Sequence, residues 1–409
     1  MGSTRRTFLE TAGLTIVGSR LIRGAEANSA VRVGLLGCGG RGTTVADSMM
    51  NNAGARVVAL GDLFQDQLDR AKKHFDDFAV VDPTQMFHGP RAFEQIAASP
   101  AVDAIVIATP PYFHPQHLNA VVDAGKHVYC EKPVAVDVPG TRRVLDIGRK
   151  AEGRLSLEVG FQIRNAPPFV ELVRRIHAGA IGEIGFADAY YYCQYLDASH
   201  PDAPPAQMRI RNWLHDRVLS GDIILEQNIH ALDICNWVLR GHPVKALGAG
   251  GRKGRAPDDC LGHCSVCFWY PGDVQVNFSS KQFGKGPFDV CERFFGTRGS
   301  SQSPYSGPLG IDGEERWTWA GSERKEAGEF SASGAFADNL AQADAKKHRS
   351  FIESITSGRF HNQAAVGMES SLTAMLGRTA IYTGREVTWD ELLASQESWD
   401  AGIDLDKLG

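Results

Sequence analysis

The stretch Val31-Arg-Val-Gly-Leu-Leu-Gly37-Cys38-Gly39-Gly40-Arg41-Gly42 decides the fold of the first half of the chain. It begins as a short apolar run, typical of a buried parallel strand, and continues as the pattern Gly-x-Gly-x-x-Gly. Such a turn lets backbone amides approach a pyrophosphate and directs the N-terminus of the following helix at its charge. The stretch therefore predicts a dinucleotide-binding turn formed by Gly37, Cys38, Gly39, Gly40, Arg41 and Gly42.

A carboxylate follows where a ribose hydroxyl would need an acceptor. The second apolar run, Arg56-Val-Val-Ala-Leu-Gly-Asp62, ends about 20 residues after the last glycine of the turn. Leu63 and Phe64 come next, with no arginine there to pair with a 2'-phosphate, so the sequence favours NAD over NADP. The alternative is an ordinary strand-turn-helix connection in which Asp62 is solvated.

The composition is typical of a globular protein long enough for two domains. The chain has 409 residues, of which 43% are hydrophobic and 22% charged. Its formal net charge is −5 and no basic block lies beyond the N-terminus, so we expect no nucleic-acid partner. After residue 30, no run reaches the roughly 18 consecutive apolar residues that a membrane-spanning helix needs.

Residues 1–30 are predicted to be an export signal outside the fold. Arg5 and Arg6 form a pair, a modest apolar segment follows, and Ala25-Glu-Ala27 offers a small-x-small cleavage site. The pattern resembles a twin-arginine signal, which predicts export to the periplasm or beyond by the twin-arginine machinery; a disordered basic tail is the alternative. Because that route carries folded proteins, we expect the cofactor to travel with the protein and to stay bound through many turnovers.

Cys260, His263, Cys264 and Cys267 have the composition of a metal-ligand cluster. They lie, however, in a stretch with the character of a strand, where alternation places Cys264 and Cys267 on opposite faces. A second cysteine pair with zinc-like spacing is missing from the sequence. We therefore predict no metal site and interpret these cysteines as small buried side chains.

The order of predicted elements divides the chain into two domains. Residues 31–155 alternate strand and helix, which predicts a Rossmann-type, doubly wound parallel sheet with ligands at the carboxyl ends of its strands. Residues 156–409 carry longer β-rich runs and predict an α+β domain with a mostly antiparallel sheet that binds the substrate. Residues 283–334 are rich in glycine and serine and predict loops over or beside the site.

Two segments carry residues suited to proton transfer. Lys132 follows a short predicted strand that ends beside the expected nicotinamide, whose positive charge would disfavour the ammonium form of the lysine. In a predicted helix over residues 221–239, Glu226 and His230 lie one turn apart, and Asp233 and Trp237 continue the same face. The alternatives are a surface lysine before a turn-forming proline and an amphipathic helix with a solvated face.

Taken together, these residues resemble the Gfo/Idh/MocA family, named for glucose-fructose oxidoreductase, inositol dehydrogenase and rhizopine catabolism. The most specific part of the resemblance is Ala124-Gly-Lys-His-Val128 followed by Glu131-Lys132-Pro133. The glycine turn, Asp62, Thr109-Pro110 and the segment bearing His230 complete it. The resemblance implies a C-terminal domain with an open sheet, a homodimer or homotetramer, and hydride transfer at a sugar or polyol carbon.

The resemblance also implies residue roles. Lys132 would contact the reacting hydroxyl, Glu131 the nicotinamide ribose, and Pro133 would follow a cis peptide bond. His230 is assigned as the general acid/base or substrate-polarising group, although many members carry aspartate where this chain has Glu226. The predicted cofactor contacts beyond the glycine turn are Asp62, Thr109, Pro110, His114, Glu131 and Lys132. The predicted substrate contacts are Glu226, Asp233, Arg164 and Trp213, with Lys281 and Gln282 as weaker candidates.

Three functions remain open at this point. The first is an NAD-dependent oxidoreductase that acts on a carbohydrate or cyclitol hydroxyl. The second is a redox-neutral, NAD-dependent glycosidase, in which transient oxidation of a sugar permits elimination of its substituent before water addition and re-reduction. The third is a non-catalytic sugar-binding protein that has kept the fold.

Overall fold

A computed structural model describes residues 30–76, 81–196, 200–254, 258–322 and 338–408. The predicted export signal falls, apart from Ala30, outside these ranges. In the described part of the chain no helix is both long enough and apolar enough to cross a membrane.

Within the described ranges, the first domain is built on a six-stranded sheet in the order β3-β2-β1-β4-β5-β6, in which every pairing is parallel. Its central strands are fully buried apolar runs because helices cover both faces of the sheet. The strands are β1 Arg32–Leu36, β2 Arg56–Asp62, β3 Met86–His88, β4 Ala104–Ile107, β5 His127–Cys130 and β6 Leu157–Val159. The sheet thus continues past residue 155, the predicted end of the domain.

Helices and short turns connect these strands. The helix Gly40–Ala53 begins immediately after the glycine turn, and the prolines after β4 start a short 3₁₀ turn, Pro111–Phe113. The other helices of this domain are Gln65–Phe75, Ala92–Ala98, His114–Asp123 and Val138–Ala151. The carboxyl ends of β1, β2, β4 and β5 therefore meet at one edge of the sheet, where ligands bind in this architecture.

Among its described residues, the second domain contains a nine-stranded sheet in the order β14-β13-β12-β11-β7-β10-β9-β8-β15. All of its pairings are antiparallel except that between β7 and β10, which confirms the predicted fold class. The strands are β7 Ile184–Cys193, β8 Lys245–Gly251, β9 His263–Tyr270, β10 Val274–Gln282, β11 Asp289–Gly296, β12 Gly299–Gln302, β13 Gly310–Gly313, β14 Trp317–Thr318 and β15 Val387–Thr388.

The prediction of loops across residues 283–334 is wrong where β11 to β14 lie within that segment, and residues 323–334 fall outside the described ranges. Gly299 and Gly310 serve close strand pairing. A Cβ atom at Gly310 would lie 2.2 Å from the Trp317 carbonyl oxygen, and one at Gly299 would lie 2.6 Å from that of Asp312. Composition alone cannot distinguish glycines of this kind from those of a loop.

Helices of the second domain pack on both sheets. They are Pro167–His177, Met208–Arg211, Arg217–Ser220, Ile223–Glu226, Ile229–Leu239, Ala343–Thr356, Ala364–Thr383 and Trp389–Ala394. The helix Ala343–Thr356 returns to the first domain, since Phe351 and Ile352 belong to the same buried cluster as Val33 and Leu35. The first domain's core is thus completed by residues from near the end of the chain.

A buried ion pair fixes this returning helix. Lys347 Nζ lies 2.6 Å from Glu158 Oε1, and both side chains are almost fully excluded from solvent. Gln363 Oε1 accepts a second hydrogen bond from Lys347, and His361 Nδ1 lies 2.9 Å from the other Glu158 oxygen. Although burial opposes ionisation, Lys347 and His361 lower the pKa of Glu158, so the carboxylate stays charged.

Replacing Lys347 by methionine should lower the free energy of unfolding by about 3–5 kcal/mol, because the Glu158 carboxylate would be left buried beside a neutral side chain. Urea denaturation at neutral pH measures the effect. The matched control is Lys346→Met on the exposed side of the same helix. Equal free energies of unfolding for the two variants would contradict the stabilising role of the Lys347–Glu158 ion pair.

Candidate active site

The glycine turn has the shape that a bound pyrophosphate requires. Gly37 has φ +92°, and a Cβ atom there would lie 2.6 Å from the Ala108 carbonyl carbon. A Cβ atom at Gly42 would lie 2.1 Å from the Gly37 oxygen. At Gly39, by contrast, a Cβ atom would meet nothing within 4 Å. The outer glycines therefore permit close packing, whereas the middle one opens onto free space that a ligand can fill.

The helix Gly40–Ala53 starts at this open position with no side chain capping its first amides. Asp62, at the end of β2, accepts hydrogen bonds from the amides of Cys38 (2.7 Å) and Phe64 (2.9 Å). Burial raises the pKa of Asp62 above its usual range, although those two amides oppose the shift. The uncapped amides suit a phosphate and the carboxylate suits a ribose, so these residues fit a dinucleotide.

A cavity of about 460 Å³ runs from Asp62 along the glycine turn to the second domain. The predicted site residues that line it are Gly37, Gly39, Gly40, Arg41, Asp62, Thr109, Pro110, Glu131, Lys132, Trp213, Glu226 and His230. The predicted site residues that do not line it are Cys38, Gly42, His114, Arg164, Asp233, Lys281 and Gln282. One cavity therefore joins the predicted cofactor residues of the first domain to three of the predicted residues of the second, Trp213, Glu226 and His230.

Lys132 and Glu226 meet across the two domains. Lys132 Nζ donates to Glu226 Oε1 at 2.8 Å and to the Glu226 backbone oxygen at 2.7 Å. Both side chains are mostly buried. Lys132 therefore has a carboxylate at contact distance, and this ion pair crosses the boundary between the domains. As the resemblance implied, the Lys132–Pro133 peptide bond is cis.

His230 lies at the start of a helix that the sequence did not separate. The predicted helix over residues 221–239 is wrong in one respect, because it breaks at Gln227–Asn228 into Ile223–Glu226 and Ile229–Leu239. Nδ1 of His230 is buried without a hydrogen-bond partner among the described residues. Burial, with the positive charges of Lys132 and Arg41, lowers the pKa of His230 well below its usual range. The imidazole is therefore neutral at physiological pH and can accept a proton.

Arg164 and Asp233 form a separate ion pair. Arg164 Nε lies 2.9 Å from Asp233 Oδ2, and Ser370 donates to Asp233 Oδ1 at 2.6 Å. Asp233 continues the face of His230, but one turn further along the helix, beyond the cavity. The prediction that Arg164 and Asp233 bind substrate is therefore corrected: they pair with each other and anchor the helix.

The weaker candidates also lie outside the main cavity. Lys281 Nζ donates to the Phe283 carbonyl oxygen, and Gln282 donates to the Gln227 side chain. Gln227 does line the cavity, and the hydrogen bond from Gln282 fixes its side chain. Neither Lys281 nor Gln282 lines the main cavity, so a substrate contact by either residue stays a prediction.

The side chain of Arg41 is held by two carboxylates. Its Nε donates to Glu131 Oε1 at 2.8 Å, and its two terminal nitrogens donate to the carboxylate of Asp344 at 2.7 and 2.9 Å. Asp344 lies in the returning helix Ala343–Thr356. Arg41 thus offers its backbone to a ligand while its guanidinium fixes Glu131.

Two histidines contact Thr109, just after the end of β4. His114 has one ring nitrogen 2.7 Å from the Pro133 carbonyl oxygen and the other 2.7 Å from that of Thr109, and burial lowers its pKa to about 4. His114 thus bridges two backbone carbonyl oxygens and does not line the cavity. Its prediction as a cofactor contact is corrected accordingly. His117 lines the cavity, and its Nδ1 lies 2.9 Å from Thr109 Oγ1.

No group of three or more potential metal ligands is assembled anywhere in the part of the chain that the structure describes. Within β9, Cys264 is buried and Cys267 is half-exposed, as strand alternation requires.

Two models of one protein family match consecutive parts of the chain. The model of the GFO/IDH/MocA oxidoreductase family with an NAD-binding Rossmann fold matches residues 31–159. The model of the GFO/IDH/MocA C-terminal domain matches residues 169–302. The chain belongs to the Gfo/Idh/MocA oxidoreductase family. NAD, the predicted cofactor, is thereby confirmed for this family member, in agreement with the shape of its glycine turn.

Curated relatives of this family member carry the name inositol 2-dehydrogenase. Inositol 2-dehydrogenase 4 of Saccharopolyspora erythraea is 32% identical over 54% of this chain, an alignment that spans only 57% of that relative. The inositol 2-dehydrogenase of Rhizobium meliloti is 27% identical over 80% of this chain and 89% of the relative.

Solved structures share the fold of this family member. A putative myo-inositol dehydrogenase from Sinorhizobium meliloti has a TM-score of 0.67 and 22% identity, and covers 88% of this chain and 99% of its own. A scyllo-inositol dehydrogenase from Lactobacillus casei, solved with NAD(H) and scyllo-inositol, has a TM-score of 0.68 and 20% identity with the same coverage.

The sequence analysis did not identify several cavity residues, because they belong to no local motif. Gln162, Tyr191, Gln227 and Tyr305 surround the end of the cavity where Lys132 and His230 lie, and Arg211 and Leu405 line it elsewhere. They come from separate strands, turns and the chain terminus. Asp344, which accepts hydrogen bonds from Arg41 of the glycine turn, is likewise far from that turn in sequence.

His230 should show no titration between about pH 6 and 8, because burial and two positive charges keep its imidazole neutral. NMR of ring-labelled histidines measures this, with His230→Gln to assign the signal. Removing one of those charges in Lys132→Met should raise the pKa of His230. His361, whose pKa is raised by its hydrogen bond to Glu158, is an internal reference. Titration of His230 together with His361 would contradict the prediction.

Proposed function

We propose that this protein is an NAD-dependent oxidoreductase that oxidises a secondary hydroxyl of a cyclitol or sugar. The observation that carries the proposal is a single cavity that joins the dinucleotide-binding turn to Lys132, Glu226 and His230. Gln162 and Tyr305 line the same cavity, so its lining carries several polar side chains. A lining of this kind suits a ligand rich in hydroxyls. The names of the curated relatives support the same substrate class.

Lys132 has one donor left for such a ligand. An ammonium group has three N–H bonds, and two of those in Lys132 are used by the carbonyl and carboxylate of Glu226. The third is available to the oxygen of a substrate hydroxyl. Because the Glu226 contacts fix the position of Nζ, this donor is preorganised to stabilise negative charge that develops on the oxygen during oxidation.

His230 is suited to take the proton of the same hydroxyl. As the neutral imidazole that its lowered pKa implies, it accepts the proton as the carbon–hydrogen bond breaks. The bound nicotinamide supplies the hydride acceptor. In the reverse direction the imidazolium returns the proton to the carbonyl oxygen, so one pair of side chains serves both directions.

Lys132→Met and His230→Gln should each lower kcat/KM by about 10²–10⁴-fold, since each removes a group that acts on the reacting hydroxyl. Myo-inositol, scyllo-inositol and a panel of pyranoses are offered with NAD, and NADH absorbance is recorded. Lys150→Met and His74→Gln, which lie outside the cavity, are the matched controls.

Near-UV circular dichroism verifies that the variants fold. Wild-type turnover in either site variant would refute the roles of Lys132 and His230. Release of an aglycone from a glycoside without any change in NADH absorbance would replace the proposed oxidation by the redox-neutral glycosidase reaction.

We also propose that the protein is exported by the twin-arginine route. The support is the Arg5-Arg6 pair, the apolar segment after it and the Ala25-Glu-Ala27 site. Replacing Arg5 and Arg6 by lysine should retain the protein in the cytoplasm, as cell fractionation measures. Lysines at Arg20 and Arg23 are the control and should leave export intact. Export of the twin-lysine variant at the wild-type level would overturn the proposal.

A further inference from the structure

The cavity has two ends with different lining. Lys132, Glu226 and His230 mark the reacting end. The other end lies beyond Asp62, which fits a ribose, and is lined by Leu63, Phe64, Gln67 and Arg70. Given the proposed function, on which this inference rests, this second end receives the adenosine half of the dinucleotide.

Part of the second domain reaches the adenosine end. The guanidinium of Arg211, in the helix Met208–Arg211, lies over the Phe64 ring at 3.8 Å. Its terminal nitrogens donate to Asp66 at 2.6 and 3.1 Å, and its Nε donates to Gln207 at 2.9 Å. The Arg211 side chain is only 13% exposed. Arg211 is therefore a fixed planar cation beside the adenosine end, with its position set by contacts to both domains.

The end of the chain closes over the same region. Leu405 lines the cavity, and Ala401 and Leu408 pack in one buried cluster with Phe64 and Ile210. The burial of these apolar side chains holds the segment against the body of the protein.

Hydrogen bonds hold this terminal segment at several points. Gln207 donates to the Leu408 carbonyl oxygen at 3.0 Å, and the Ala401 amide donates to the Tyr112 hydroxyl at 3.3 Å. The Trp399 amide donates to Asp137 at 2.8 Å. These contacts tie the segment to both domains, so it is a structural part of the cavity wall.

We infer that the helix Met208–Arg211 and residues 399–408, together called the C-terminal cover, form a wall of the dinucleotide site, and that Arg211 and Leu405 are dinucleotide-binding residues. The adenosine half contacts both side chains, because both line the space beside Asp62 and Phe64. Its release requires the C-terminal cover to separate from Phe64. The cover therefore slows dissociation and keeps the dinucleotide bound from one turnover to the next.

The full-length protein is loaded with radiolabelled NAD and chased with excess unlabelled NAD, and the retained label is followed with time. Arg211→Ala and Leu405→Ala should each raise the dissociation rate by about tenfold or more, because each removes a contact of the bound adenosine half. Lys407→Ala is the matched control: its side chain lies in the same terminal turn but is 80% exposed, pairs with Asp404 and does not line the cavity.

An unchanged dissociation rate in both cover variants would overturn the inference, as would an equal increase in Lys407→Ala. Thermal unfolding without nucleotide establishes that the variants remain folded. The proposed function is tested separately by polyol and sugar oxidation in the wild-type protein. Slow release of NAD without any such oxidation would refute that function alone, and oxidation with unchanged release in the cover variants would refute only the C-terminal cover.

Discussion

The ion pair between Lys132 and Glu226 joins the two domains at the reacting end of the cavity. Lys132 stands at the end of β5 in the parallel sheet, and Glu226 ends a short helix of the second domain. With 2.8 Å between Nζ and Oε1, each side chain fixes the other in a largely buried setting. Burial of either charge alone would be costly, so the pair forms only when both domains are in place. The proton-transfer geometry thus depends on the domain arrangement itself.

Two further buried contacts make the first domain depend on the end of the chain. Asp344 pairs with Arg41 of the glycine turn, and Lys347 pairs with Glu158 in the last strand of the parallel sheet. Both partners come from one helix, Ala343–Thr356, which also completes the apolar core around β1. The glycine turn is consequently supported from a point about three hundred residues away, a separation that the Arg41–Asp344 hydrogen bonds span directly.

Polar groups at the two ends of the cavity have different tasks. At one end, Lys132, Glu226 and His230 line the cavity. At the other end, the lining includes Phe64 of an apolar cluster and Arg211, whose guanidinium lies over the Phe64 ring. The two ends of the cavity thus differ in the side chains that they offer to a ligand.

Local patterns determined what the sequence could predict. The glycine turn, Asp62, the parallel sheet and the Glu131-Lys132-Pro133 string follow from residues close together in the chain, because strand ends and turns are specified locally. His230 and Glu226 were identified by helical spacing, although the helix breaks between them. The same spacing wrongly extended the site to Asp233, since periodicity gives the face of a helix but not where a cavity along that face ends.

Only the tertiary structure decided which partners these residues take. The pairing of Arg164 with Asp233, the commitment of Arg41 to Asp344 and the approach of Leu405 to the cofactor end all join segments far apart in sequence. No periodicity records such contacts, because they arise from how separate elements pack and from the need of every buried charge for a partner. The sequence by itself thus determined the fold and the chemical groups at the strand ends, and packing between the domains decided which of those groups face the ligand.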